Sequence, residues 1–271
     1  MADFFLLMGK PLLACLILTG IHAYLGLHVV ERKVIFVDLA LAQIAALGAT
    51  AASLFGAGLH GEGNYLFSLA AAFTGAAVFA VTRTRKEKVP QEALIGIVYA
   101  VSASLAILIL SRTAEGDEHI RHMLVGNILL VTGPEIFKMA VLYGAVGFIH
   151  WFFRKKFLLI STDPEEAYRQ GVSVRKWDLL FYLTFGLVVT SSVSIGGVLL
   201  VFAFLIIPAV AAMLFASTVS SRLWLGWAMG IVTSAAGVGL SYQFDLPTGA
   251  AVVSTMGAAL ALLALAKKKF Q

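Results

Sequence analysis

Apolar residues in this chain gather in long, nearly unbroken runs, not in the alternation of a half-buried strand or the three-to-four spacing of a surface helix. The runs fall near residues 12–30, 36–57, 65–82, 92–110, 136–153, 177–194, 198–216, 224–241 and 250–266. Most approach the roughly 20 residues that a helix needs to cross a hydrocarbon layer of about 30 Å. The pattern predicts an all-α, polytopic membrane protein of eight or nine transmembrane helices, forming a single transmembrane domain over residues 1–271. The count turns on Ser194-Ile195-Gly196-Gly197. Those residues read either as a turn between two spans or as a break inside one longer, bent element.

Composition closes off the other classes. The chain is 60% apolar and 13% charged, with mean hydropathy +0.92. A soluble domain carries about 25% charged residues, and an outer-membrane barrel shows weak alternation in place of long runs. A net charge of +5 would raise nucleic acid as a partner in a soluble protein, but the positions of the charges exclude it here. Sixteen of the twenty Lys and Arg residues lie at 32–33, 83–88, 154–176, 222 and 267–269, between or just after apolar runs. With the N-terminus outside and the C-terminus inside, all five groups fall on the cytoplasmic side of the inner membrane. The outer face then carries His60-Gly61-Glu62, residues 112–122, the 194–197 turn and Asp245. Asp3 precedes any basic residue and the apolar run continues past Lys10, so the first segment is expected to stay as a helix. Cys15 is alone and offers no disulfide.

Within the runs, Ala45, Ala46, Gly48, Ala49, Ala70, Ala71, Gly75 and Ala76 are small, as helices that approach closely in lipid require. Pro208 closes the run from Phe202 and is expected to kink or break its helix, freeing a backbone carbonyl. Such a break either lines a translocation path or is a tolerated structural proline.

The segment 154–176 carries a helix start of its own. Asp163 is placed as N-cap, Pro164 at the first helical position and Glu166 three residues after the cap. Gly171 supplies a stop. The spacing predicts a helix of about two turns over 164–170, and a simple connection between spans needs none. A capped acidic helix suits docking to a cytosolic partner; the alternative is a helix lying on lipid, which Glu165 and Glu166 disfavour.

No phosphate-binding loop, His-Glu-x-x-His, Gly-x-Ser-x-Gly or cysteine pair occurs, so no catalytic residue and no bound cofactor are expected. The chain reads as a transport subunit. Glu118 and His122 stand four residues apart and His119 and His122 three, beside Glu115 and Asp117. Together they read either as an outer-mouth site for Zn²⁺ or Mn²⁺ or as a solvated acidic loop. His22 and His28 read as packed histidines, His60 and Glu62 as parts of a flexible outer loop, and His150 beside Trp151 as an interface anchor.

Several stretches resemble one family. Ser194-Ile195-Gly196-Gly197-Val198-Leu199-Leu200-Val201, followed by Leu205-Ile206-Ile207-Pro208-Ala209, is similar to a signature of the divalent-metal permeases of ATP-binding-cassette importers. Residues 24–33, Glu92-Ala93-Leu94-Ile95-Gly96-Ile97, Gly126-Asn127-Ile128-Leu129 and Asp245-Leu246-Pro247-Thr248-Gly249 resemble its other motifs in the expected order. Asp163-Pro164-Glu165-Glu166-Ala167 and Gly171 resemble its ATPase-coupling helix. The resemblance implies a homodimeric permease joined to a cytosolic ATP-binding-cassette ATPase that binds the ATP. It would be fed by a periplasmic or lipid-anchored metal-binding protein and would carry zinc or manganese.

One departure bears on the cargo. The family's second helix carries Asp and His four residues apart, whereas Asp38 and Gln43 here are five apart, about 140° round a helix. Unless a local bulge joins them, only one faces the path. Asp38 is either on the path or paired with Arg32 or Lys33; Gln43 is either a neutral oxygen ligand or an interhelical hydrogen-bonding group. Glu92 is a second candidate ligand, or simply an acidic residue at a helix N-terminus. The altered spacing also leaves open a chelated metal as cargo, and an ion-coupled carrier is the reading from another class.

Overall fold

A computed structural model describes residues 2–54, 62–83, 89–111 and 124–269. The described residues form helices throughout: α1 (Ala2–Glu31), α2 (Val37–Leu54), α3 (Glu62–Thr82), α4 (Gln91–Leu110), a 3-10 turn (Ile128–Leu130), α5 (Gly133–Phe152), α6 (Arg154–Thr162), α7 (Pro164–Arg169), α8 (Val174–Phe215), α9 (Val219–Phe244) and α10 (Thr248–Lys269). The protein is a multi-pass, all-helical membrane protein. Among the described residues, length and apolar character qualify α1, α3, α4, α8, α9 and α10 as spans, and the α5–α6 pair, bent by 76°, makes a seventh if it crosses as one. The difference from eight or nine has two sources. The apolar part of α2, Val37–Ala52, is shorter than a full crossing, and α8 counts once although its backbone breaks at Gly197.

Chain contacts divide the protein into two compact units. The first holds α1, the 3-10 turn, most of α5, the second part of α8, α9 and α10. Its distinctive feature is the α8 break. Gly197 has φ 76° and ψ 162°, a region essentially confined to glycine. The backbone of Gly126 (φ 62°) packs so closely there that a Cβ at either glycine would overlap the other's main chain. The Asn127 N–H donates to the Ile195 carbonyl at 3.2 Å, so backbone polarity at the break is met from the opposing segment. Two of the motif stretches, 126–129 and 194–197, thus meet. Contrary to expectation, Pro208 is buried inside α8 and Gly197 alone departs from helical backbone angles. In the same unit, the Thr218 hydroxyl caps α9 by accepting from the Ser221 N–H at 3.2 Å. Asp245 ends α9 in the left-handed conformation, and Ser241 Oγ meets Thr248 Oγ1 at 2.9 Å.

The second unit holds α2, α3, α4, α6, α7 and the first part of α8. α2 packs against α3 and α4, and no residue from 37 to 52 is exposed. A helix apolar on every side belongs inside such a bundle. Gly48 makes the packing possible, since a Cβ there would crowd the Phe67 carbonyl and the Ala71 side chain. Two boundaries differ from the apolar pattern. α1 begins at Ala2, carrying Lys10 and Pro11 inside the helix, and the 154–176 segment folds a further helix, α6, ahead of α7.

Gly197→Ala should lower stability by about 1–3 kcal/mol, the cost of placing a side chain in that backbone region, and more if the Gly126 contact cannot relax. Gly196→Ala, which would meet only the Leu200 side chain, should cost less. Thermal unfolding midpoints of the two variants in detergent check the order.

Candidate functional site

The second unit brings two carboxylates to the starts of two helices. α1 ends at Glu31, and a short connection turns the chain into α2. In it Lys33 takes φ 57° and the Val37 N–H bonds the Val34 carbonyl at 3.1 Å. Glu92 lies in the first turn of α4, and its Oε1 accepts from the Phe36 N–H at 3.0 Å, fastening the start of α2 to the start of α4. Asp38 lies in the first turn of α2 and is 2% exposed. Asp38 Oδ1 and Glu92 Oε2 are both buried without a hydrogen-bond donor, at helix starts that the Phe36–Glu92 bond holds together. A buried carboxylate oxygen without a partner is costly. Helix N-termini offset part of that cost, and a cation between the two groups would offset more. Oxygen donors of this kind suit hard divalent ions such as Mn²⁺ and Mg²⁺ better than they suit soft ones.

Gln43 is buried, but α2 is an uninterrupted α-helix across this stretch. The five-residue spacing from Asp38 therefore keeps its value of about 140°, and no bulge brings Gln43 onto the Asp38 face. Among the described residues, no three His, Cys, Asp or Glu side chains gather as a ready-made metal cluster.

Arg32 pairs elsewhere than with Asp38. Its Nη1 donates to Asp178 Oδ1 at 2.6 Å, and its Nε donates to Ser161 Oγ at 2.8 Å. The guanidinium carbon lies 4.0 Å from the centre of the Phe181 ring. Arg83 Nη1 reaches the same carboxylate, at 2.9 Å from Oδ1 and 2.8 Å from Oδ2. The side chains of Asp178 and Arg32 are 0% and 1% exposed. One carboxylate thus joins the exits of α1 and α3 to the first turns of α8, and through Arg32 to the end of α6. The sequence reading missed Asp178, which sits just inside an apolar run. A lone carboxylate in such a place is the signal that could have found it. Arg32 and Arg83, read as loop charges, are its counterions.

The capped helix expected over 164–170 forms as α7. Asp163 Oδ1 accepts from the Glu166 N–H at 2.9 Å, and Pro164 opens the helix. Gly171, at φ 71°, ends it, with the Gly171 N–H on the Tyr168 carbonyl and the Val172 N–H on the Ala167 carbonyl. Ala167 is buried against Ile160 and Val174, with Tyr168 and Trp177 packed around them. Glu165, Arg169 and Gln170 are exposed, and Glu166 pairs with Arg169 at 3.0 Å. α7 is therefore a short helix seated on a small apolar base with its polar side outward.

The outer-mouth candidates Glu118, His119 and His122 lie outside the described residues, as do Glu115, Asp117 and His60. His22 is buried, with Nδ1 at 2.9 Å from the Leu18 carbonyl oxygen, and the His28 ring packs on Tyr24. His150 is no interface anchor: it is buried, stacked on Phe157 and bonded to Thr184 Oγ1 at 2.9 Å, while its neighbour Trp151 is exposed.

A sequence model of the ABC 3 transport family matches residues 5–268. A manganese transport system membrane protein, MntC, of Listeria innocua is 31% identical over 188 residues, 67% of each chain. A probable iron transport system membrane protein of Haemophilus influenzae is 31% identical over 184 residues, covering 68% of this chain and 67% of its own. Among solved structures, PsaBC from Streptococcus pneumoniae in complex with Fab is similar with a TM-score of 0.77. That likeness covers 97% of this chain and 94% of the other at 22% identity, a likeness of fold.

Apart from these likenesses, Asp178→Ala leaves two guanidinium groups buried without a counterion and should destabilise the protein by about 3–5 kcal/mol. Arg83→Ala, at the more exposed end of the network, should cost less. Unfolding midpoints and yields of folded protein in detergent measure both.

Proposed function

The chain belongs to the ABC 3 transport family, and on that premise we propose that it is the membrane subunit of an ATP-driven importer of a divalent transition metal. Manganese or iron is the preferred cargo, ahead of zinc. The observation that carries this reading is the Asp38–Glu92 carboxylate pair, two buried oxygens without donors at the joined starts of α2 and α4. Its all-oxygen character favours a hard divalent ion over zinc bound by imidazole or thiolate. The names of the manganese and iron relatives point the same way.

On this reading the permease acts as a homodimer in the inner membrane, with 154–176 on the cytoplasmic side. α7 docks in a separate ATP-binding-cassette ATPase, and a periplasmic or lipid-anchored binding protein delivers the metal outside. ATP binding and hydrolysis on the partner move α7, and the helices open alternately to either face. Asp38 and Glu92 hold the ion during the crossing; the outer acidic segment with Glu118, His119 and His122 draws cations to the entrance. The permease supplies no catalytic group. It supplies a path whose opening follows the state of the ATPase.

The test is ATP-driven Mn²⁺ uptake into proteoliposomes holding the permease, its ATPase and its binding protein. Asp38→Asn and Glu92→Gln keep shape and, for Glu92, the acceptor for Phe36. Each should lower uptake at limiting Mn²⁺ about tenfold or more, since even a residue one step removed from a metal ligand is worth that much. Wild-type uptake by Asp38→Asn for Mn²⁺, Fe²⁺ and Zn²⁺ alike would overturn the site. Glu165→Lys combined with Glu166→Lys should abolish co-purification with the ATPase; retained binding and uptake would remove α7 from the interface.

A further inference from the structure

We propose that Arg32 is a positioning residue that carries movement of α7 to the carboxylate-bearing start of α2, through its hydrogen bond to Ser161. The inference rests on the reading that α7 receives the ATPase. It adds the route by which the signal leaves that helix.

Ser161 stands in the last turn of α6, two residues before Asp163, the N-cap of α7. α6 and α7 share a small apolar base through Ile160 and Ala167, so a tilt of α7 displaces Ser161. The next link is the 2.8 Å bond from Arg32 Nε to Ser161 Oγ. Arg32 is not free to yield. Its Nη1 is held on Asp178, its guanidinium carbon lies over the Phe181 ring, and Asp178 is held in turn by Arg83. Shifting the guanidinium alone would break a buried ion pair, so the group moves with its partners.

From Arg32 the chain reaches Asp38 in six residues, with little slack. Lys33 is in the left-handed conformation, Val37 is bonded back to Val34, and the Phe36 N–H is tied to Glu92. A displacement at Arg32 is therefore passed to both carboxylates, to Asp38 along the chain and to Glu92 through its bond to Phe36. All the links lie within the second unit.

The guanidinium is the necessary part. Its fixed fork serves Ser161 through Nε and Asp178 through Nη1 at once; a lysine ammonium keeps the charge but cannot span both acceptors in that geometry.

Mn²⁺ transported per ATP hydrolysed is measured in proteoliposomes of the full complex for wild type, Arg32→Lys, Ser161→Ala and the double variant. The expected result is ATP hydrolysis close to wild type in each single variant. Mn²⁺ per ATP should fall about threefold to tenfold, the size of one hydrogen bond lost from one state of a cycle. The double variant should be no worse than the more affected single, because both remove the same link. Three outcomes overturn the proposal: an unchanged ratio in both singles, transport and hydrolysis falling in step with a lowered unfolding midpoint, or a double variant whose loss is the product of the singles. A wild-type complex that binds no ATPase, or shows no ATP-dependent Mn²⁺ uptake, overturns the transport reading as well, so the two failures are separable.

Discussion

The second unit is organised by one carboxylate that two guanidinium groups share. Asp178 is fully buried, yet it carries bonds from Arg32 and Arg83 and, through Arg32, reaches Ser161. Removing a carboxylate from water is costly, and a single counterion in a low-dielectric interior often fails to offset that cost. Two counterions, one with its face on an aromatic ring, make the arrangement tolerable and leave its geometry little freedom. Apolar contacts could hold the same helix ends at comparable stability. What the ionic arrangement adds is a defined position for each, because a misplaced helix end would strand a charge. The starts of α2 and α4 inherit that definition, and with it the separation of Asp38 from Glu92.

Much of this architecture was legible in the sequence, and what was hidden follows a physical pattern. Local information sufficed for α7: a cap, a proline at the first helical position, and a glycine with positive φ are read from neighbours in the chain, and all three are found in those roles. The apolar runs located the main helices because lipid demands continuous apolar length. Non-local pairing was not legible. Arg32 and Arg83 have the composition of loop charges, and only the fold brings them to a carboxylate nearly 150 and 100 residues away. His150 misled for the same reason: a histidine beside an exposed tryptophan resembles an interfacial pair until the helix is rotated to put one ring inside. In α8 both the Gly196-Gly197 stretch and Pro208 were expected to bend or break the helix, and only Gly197 departs from helical backbone angles. Proline fixes φ at a value that a helix accepts, whereas Gly197 takes a φ that a helix cannot accept.

Of the proposed cation site, both carboxylates were legible as candidate ligands, Asp38 and Glu92, but not that they belong together. Asp38 stands out as a carboxylate beside apolar residues, and Gln43 was the natural companion because it shares the helix. α2 is regular, and regularity excludes the pair, since five residues turn the second side chain away from the first. On the proposed reading the companion to Asp38 comes from α4. Glu92 then has two tasks, one for each oxygen: Oε1 holds the Phe36 N–H, and Oε2 is directed to the ion. A cation that drew the whole carboxylate toward itself would weaken the tie between the starts of α2 and α4, and a tie that tightened would draw Oε2 back. On that reading, ion occupancy and the placement of α2 against α4 are linked at a single side chain. The link works in both directions, so whatever repositions the start of α2 also changes how firmly the ion is held.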